Sequence, residues 1–191
     1  MSMKDSAGQP LIAFKSADLN ADAGVCVGGR EDTSDSGSVA QVINPDDFLE
    51  TAADRLYTPE RNLQAWNRAY ERLALALTNS PGGTHVYVVM GVQGAGKSRW
   101  VEQNRGRLGQ RAIVFDAALP ARRHREKLLA IIKGAGVPVI GVFVQATLEQ
   151  ALLRNAQRTP DKQVPEQALK SVFSMLEAPT EAEGFFRVEQ A

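Results

Sequence analysis

Val86-Tyr87-Val88-Val89-Met90-Gly91-Val92-Gln93-Gly94-Ala95-Gly96-Lys97-Ser98 decides the reading of this chain. Its first five residues form a continuous apolar run without a polar face, the pattern of a central parallel strand covered by helices on both sides. The next eight satisfy G-x-x-x-x-G-K-S/T at every constrained position, and they lie between a buried strand and a helix, as that pattern requires. Glycines at these places let the backbone wrap round a polyphosphate and turn several N–H groups inward, while the following helix adds the positive end of its dipole. Gly91, Gly94, Ala95, Gly96, Lys97 and Ser98 are therefore the candidate cradle for a nucleoside triphosphate, ATP. In that role Lys97 reaches the β and γ phosphates and the Ser98 hydroxyl ligates Mg²⁺. A turn whose glycines served only backbone geometry would not call for Lys followed by Ser.

Working outward, Ala112-Ile113-Val114-Phe115 reads as a strand ending at Asp116. A carboxylate there can hold Mg²⁺ through water or orient the phosphates, because ligands gather at the carboxyl ends of parallel strands. The competing reading is a turn or N-cap aspartate. Helices are expected over about 96–106, 122–133, 148–157 and 165–176, with a further buried strand over 137–144. Upstream, Thr58-Pro59-Glu60 is a helix start, with Thr as N-cap and Pro at the first helical position. Leu63, Trp66, Ala69, Tyr70, Leu73 and Leu77 follow at helical spacing toward a stop near Asn79. Val39 to Ile43 is a short strand running into the acidic turn Asn44-Pro45-Asp46-Asp47 and then a helix. Strands alternating with helices point to an α/β fold, a three-layer P-loop NTPase architecture with a mainly parallel central sheet. Residues 1–40, rich in Gly, Ser and Asp, read as a loosely packed N-terminal arm with one apolar patch at Leu11 to Phe14; residues 41–191 read as the single domain.

The chain has 191 residues, 43% hydrophobic and 23% charged, so one ordinary domain with a sizeable core is expected rather than a disordered chain. Lys plus Arg (22) equals Asp plus Glu (22), but residues 1–58 hold 4 basic and 10 acidic side chains and 59–191 hold 18 and 12, balances of −6 and +6. An anion site belongs in the second part. Cys26 is the only cysteine, and His85 and His124 the only histidines, which excludes an intramolecular disulfide, a cysteine-based zinc site and a histidine-rich metal cluster. No run of 18 apolar residues and no signal-peptide pattern occurs, so the expectation is a cytoplasmic protein without membrane insertion.

The stretch from Ala112 reads AIVFDAALPARRHREKLL, then GVPVIGVFV, then LLRNAQRTPDKQVPEQALKSVFSML, and closes EAPTEAEGF. With the glycine-rich loop it resembles the P-loop kinases grouped around phage-type polynucleotide kinase and the zeta-toxin kinases, an AAA-type ATP-binding group, over roughly residues 86 to 188. The resemblance implies that Arg154 and Arg158 are lid arginines that close over the ATP phosphates and stabilise charge developing in phosphoryl transfer. Spaced four apart, they are expected on one helical face. The relatives carry Asp-x-Thr-Asn at the strand end where this chain has Asp116-Ala117-Ala118. They also insert a substrate-site strand and helices between the loop helix and that strand, whereas here only 17 residues separate Ser98 from Asp116. The missing block resembles Val42 to Phe48 and Tyr57 to Trp66, which implies a rearranged strand order; an unrelated N-terminal cap is the alternative. In the rearranged reading Asp46 is the base that accepts a proton from the substrate hydroxyl, with Asp47 beside it, and the competing reading is that Asp46 merely caps a helix. The Arg that polynucleotide-type relatives carry soon after this acidic pair is absent, since Phe48-Leu49-Glu50 follows.

Two function classes result. One is an ATP-dependent phosphotransferase using Mg²⁺, whose unidentified hydroxyl-bearing acceptor is a small molecule, a nucleotide sugar or a polynucleotide 5′ end. The other is an ATP-binding or ATP-hydrolysing regulator of a protein partner without an acceptor. A nucleic-acid-binding module is the weakest class, because no aromatic-rich RNA-reading motif is present and Arg122, Arg123 and Arg125 read as the start of a surface helix or as phosphate-approaching residues. Trp66 and Tyr70 read as core rather than a base-stacking platform, and Trp100 as packing the loop helix on the sheet. Oligomeric state is left open.

Overall fold

The computed structural model describes residues 40–50 and 58–191. The arm expected over residues 1–40, with Leu11 to Phe14 and Cys26, therefore lies outside the described residues apart from Ala40, and so does Tyr57. In chain order the elements are β1 (Gln41–Ile43), a 3₁₀ turn (Pro45–Leu49), α1 (Pro59–Thr78), β2 (His85–Met90), α2 (Lys97–Leu108), β3 (Ala112–Asp116) and α3 (Arg122–Gly134). They continue with β4 (Val139–Phe143), α4 (Leu148–Ala156), α5 (Glu166–Ser174) and β5 (Arg187–Gln190). The five strands form one sheet in the order β1-β3-β2-β4-β5, and every pairing is parallel.

Side-chain alternation along the strands builds the layers. Val86, Val88 and Met90 of β2, with Ile113 and Phe115 of β3, face α1 and α3, where Ala69, Leu73, Leu77, Leu128 and Ile132 are buried against them. Val89, Val114, Ile140 and Val142 point the opposite way, onto Val101 of α2, Ala151 of α4 and Leu169 of α5. Burial of each such side chain contributes about 1.5–3 kcal/mol relative to exposure, so the continuous apolar runs of β2, β3 and β4 secure both faces. The fold is the three-layer α/β architecture expected, with the strand order rearranged.

Local signals act where the sequence places them. The Thr58 hydroxyl accepts a hydrogen bond from the Arg61 N–H at 3.2 Å, Pro59 opens α1, and the helix stops at Asn79. Thr147 and Gln150 form a reciprocal capping box at the start of α4. After β1 it is Asn44, not Asp46, that caps: its Oδ1 accepts from the Asp46 N–H at 2.9 Å. Trp66, Tyr70 and Phe115 stack in the core with ring centroids 5.7–6.2 Å apart, and burial pushes the Tyr70 hydroxyl up to about 12. β5 is an element the sequence reading lacks. Its four residues hold one apolar side chain, too little for a periodic signal, and it exists by pairing with the outer edge of β4.

Arg125 departs from the expected surface or phosphate-facing role. It is 1% exposed, and its guanidinium donates to both carboxylate oxygens of Glu183 at 2.7 and 2.9 Å and to the carbonyls of Leu119 and Glu177 at 3.0 and 3.1 Å. Arg122 and Arg123 are exposed, and the Glu177 carboxylate accepts from the Arg122 N–H at 2.8 Å. The acidic C-terminal tail therefore locks the start of α3 onto the rim of the sheet. Replacing Arg125 by Met strands the Glu183 carboxylate, and urea unfolding is expected to report a loss of about 3–5 kcal/mol. Arg187→Met, which removes an exposed pair with Glu189, is expected to change stability by less than about 1 kcal/mol.

Candidate functional site

The loop from Gly91 to Gly96 joins the central strand to α2, and its shape needs glycine where it meets the neighbouring backbone. Gly91 has φ +148°, and a Cβ there would lie 2.3 Å from the Val144 carbonyl oxygen; Gly94 has φ +81°, and its Cβ would lie 2.5 Å from the Ala151 carbonyl oxygen. The loop is thus pressed between the end of β4 and one face of α4. Inside it the Ala95 N–H donates to the Val92 carbonyl at 3.1 Å, and the first helical bond runs from the Trp100 N–H to Gly96 at 3.0 Å. The N–H groups opening α2 have no intrahelical acceptor, and no acidic residue stands in its first turn to offset its positive end.

Lys97 folds its side chain back over this loop. Its ammonium donates to the Gly91 and Val92 carbonyls at 3.0 and 3.2 Å. Burial pushes the Lys97 pKa down; the negative charges of Asp116 and Asp46 oppose that shift and the positive charge of Arg158 adds to it. The Ser98 hydroxyl donates to Asp116 Oδ2 at 3.3 Å. Asp116 is 3% exposed, and its second oxygen, Oδ1, is buried without a protein hydrogen-bond partner. Burial raises the Asp116 pKa; Lys97 and the Ser98 bond work against the rise, and Asp46 and Asp47 reinforce it. The charges of Asp46, Asp47 and Arg158 thus act on Lys97 or Asp116 at the carboxyl ends of β2 and β3. Asp46 itself is exposed, on the 3₁₀ turn after β1.

Asn44 is the site residue that sequence reasoning passed over. Ile43 pairs with Phe115 in the sheet, so Asn44 stands one step beyond, beside Asp116, and its Nδ2 reaches Asp116 Oδ2 at 3.5 Å. An amide lacking after Asp116 in this chain's own strand is thus supplied by the neighbouring one. The signal was available only by assuming that β1 and β3 pair.

The two arginines do not share a helical face. α4 ends at Ala156, with Gln157 as its C-cap, so Arg158 lies beyond the helix. Arg154 stands in the last turn, and its Nη1 donates to the Gly94 carbonyl at 3.3 Å and the Ala95 carbonyl at 2.9 Å. Beside the loop, an open cleft of about 940 Å³ runs from Val92 along Phe143 to Gln150 and is also lined by Phe173 of α5 and by Leu176 just beyond it. Trp100 lies outside that lining and packs against the second core cluster, as read from the sequence.

Fold and loop together define an α/β protein with the architecture of a P-loop NTPase. A family model described as an AAA domain matches residues 104–179, from within α2 through α5. No curated protein matches the sequence. Among solved structures, the crystal structure of AvrRxo1-ORF1:AvrRxo1-ORF2 with sulphate ions is 15% identical with a TM-score of 0.41, covering 65% of this chain and 61% of that one. That of AvrRxo1-ORF1:-ORF2 with ATP is 13% identical with a TM-score of 0.42, covering 70% and 65%. The chain thus spans less than two thirds of either. Among the described residues no helix is long and apolar enough to cross a membrane.

The loop's dependence on glycine is measurable. Gly94→Ala combines left-handed strain of about 1–2 kcal/mol with a backbone clash against Ala151, whereas Gly136→Ala, at φ +68° with nothing within 4 Å, meets only the strain. Thermal unfolding is expected to show the larger loss at Gly94, and binding of a fluorescent ADP analogue should be lost at Gly94 alone.

Proposed function

We propose that the chain is an ATP-dependent phosphotransferase of the P-loop kinase kind, moving the γ-phosphoryl of Mg-ATP to the hydroxyl of an acceptor that is a small molecule, a nucleotide sugar or a polynucleotide 5′ end. The observation that carries this reading is the cluster at one rim of the sheet: a phosphate-shaped loop with Lys97 and Ser98, the buried Asp116, and Asp46 arriving from β1 on the far side of β3.

The donor set suits magnesium. Ser98 Oγ and the unpartnered Asp116 Oδ1 are hard oxygen ligands, and the described residues hold no cluster of three or more His, Cys, Asp or Glu that would cage a metal alone. Magnesium takes few protein ligands when phosphates and water supply the rest. Bound Mg-ATP supplies the transferable phosphoryl group and neutralises part of its charge. Lys97 exchanges its two carbonyl bonds for phosphate oxygens, at little cost because the ammonium is already desolvated. Arg158, whose charge acts on Lys97, offsets charge that develops on the transferring group. Asp46 accepts the proton of the acceptor hydroxyl as that oxygen bonds to phosphorus and the bond to the leaving nucleotide breaks. Being exposed, it is accessible to an acceptor from solvent. The cleft beside Val92 is large and apolar enough for the nucleoside.

Radiolabelled ATP incubated with acceptor pools tests the reading. Wild type is expected to pass label to one pool. Lys97→Ala should reduce transfer at least about 100-fold, in the range of removing one electrostatic stabiliser, and Asp46→Ala should reduce transfer while nucleotide binding persists. Transfer indifferent to both changes defeats the assignment, and binding without transfer to any acceptor turns the chain into the regulator instead.

Asp116 gives a pH dependence of defined sign. Its raised pKa means that it keeps a proton above the ordinary aspartate value of about 4. Protons then compete with magnesium for the carboxylate, so the magnesium-dependent gain in nucleotide affinity should fall as pH is lowered from neutrality toward that raised value. Calorimetry across pH should find Asp116→Asn with a small, pH-independent gain.

A further inference from the structure

Of the two arginines that the resemblance groups together, Arg154 bonds to carbonyls of the phosphate loop and Arg158 lies past the end of α4. Nests that bind anions do so with N–H groups. In a trans peptide the C=O and N–H point in opposite directions, so the bond holding the Ala95 carbonyl toward Arg154 turns the Gly96 N–H away from α4. The guanidinium of Arg154, bonded at 3.3 and 2.9 Å to the Gly94 and Ala95 carbonyls, is therefore on the loop's outer face.

A second contact supports the same arrangement. Ala151, fully buried, lies one helical turn before Arg154 on the same face of α4, and a Cβ on Gly94 would come within 2.5 Å of its carbonyl oxygen and 3.1 Å of its Cα. One face of one helix thus backs the loop twice, by close backbone approach and by two donated hydrogen bonds. Arg158 lies past the helix end, and its positive charge adds to the downward push on the Lys97 pKa.

We propose that Arg154 is a positioning residue that braces the phosphate loop from behind and keeps it in its anion-receiving shape. The proposal deepens the phosphotransferase reading and rests on it for its functional consequence. The brace itself is a property of the nucleotide-free protein. It acts on the loop and not on the γ-phosphate, so it strengthens binding of di- and triphosphates alike and leaves turnover at saturation unchanged.

Arg154→Met keeps the aliphatic stem and removes the donors. Hydrogen exchange of the nucleotide-free variant should show the amides of residues 91–98 exchanging about tenfold faster than in wild type, the magnitude of one charge-assisted hydrogen bond, with the rest of the sheet unchanged. Calorimetry should show Mg-ADP and Mg-ATP affinities reduced by one common factor of about tenfold, with kcat retained, while Arg158→Met weakens Mg-ATP more than Mg-ADP and lowers kcat. Unchanged loop exchange in Arg154→Met, or a loss confined to Mg-ATP or to kcat, overturns the brace and makes Arg154 a phosphate ligand. Should wild type bind neither nucleotide, the phosphotransferase reading fails on its own, and the exchange measurement still decides the brace.

Discussion

The site depends on the register of β2 between its two neighbours. Val88 lies opposite Phe115 on one side and Gly141 on the other, and Val89 opposite Asp116 and Val142. At the strand's end the pairing closes with the Ala117 N–H on the Val89 carbonyl at 3.1 Å and the Val144 N–H on the Met90 carbonyl at 2.8 Å. Because all three strands run the same way, the glycine loop, Asp116 and the segment leading to α4 leave the sheet at one rim. A slip of one residue would turn Asp116 to the opposite face and take it from Ser98. Holding the register are the closing bonds at Ala117 and Val144 and the close approach of Gly91 to the Val144 carbonyl, so the pairing that makes the fold also sets the chemistry.

Within that rim, Lys97 and Asp116 are each disfavoured as ions by burial and each restored in part by the other. Neither would be tolerable alone, since an uncompensated buried charge is strongly destabilising. The Lys97 ammonium meets the demand by resting on two carbonyls, and Asp116 by accepting from Ser98 and Asn44 through one oxygen only. Among the described residues the remaining Asp116 oxygen and Gln93 Oε1 of the glycine loop are buried side-chain atoms without a hydrogen-bond partner. Buried polar atoms are normally paired, so an exception placed between the loop and the acidic turn is a feature of a binding site rather than of a scaffold.

Much of this was legible in residue order. The strand-loop-helix unit, the Thr58 cap and Asp116 as a strand end depend on local patterns, and local patterns are what periodicity and capping chemistry report. Three features were not. β5 has no apolar run and is defined by its partner, Asn44 matters through a register between strands some 70 residues apart, and Arg125 looked like a surface residue because its neighbours Arg122 and Arg123 are. The acidic tail was recognisable as a pattern, but Glu177 capping α3 and Glu183 pairing with Arg125 are long-range facts. Phe185 belongs with them: it fills the space above Gly141, whose missing Cβ would lie 3.1 Å from its ring.

The position of β1 bears on how an acidic turn from an earlier part of the chain comes to stand at the rim that carries the glycine loop. A parallel sheet constrains which strands are neighbours and which way they run, and it does not record the order in which the chain delivers them. β1 is three residues long and pairs with β3 alone, so it must satisfy one register rather than two. The long α1, with Ala69, Leu73 and Leu77 buried on the sheet, then spans the layer before the chain enters β2 at the centre. Between Ser98 and Asp116 the chain is a single helix and a short turn leading into β3. An edge strand leaves the central register untouched, and so the acidic turn at Asp46 can stand beside a phosphate loop that lies later in sequence.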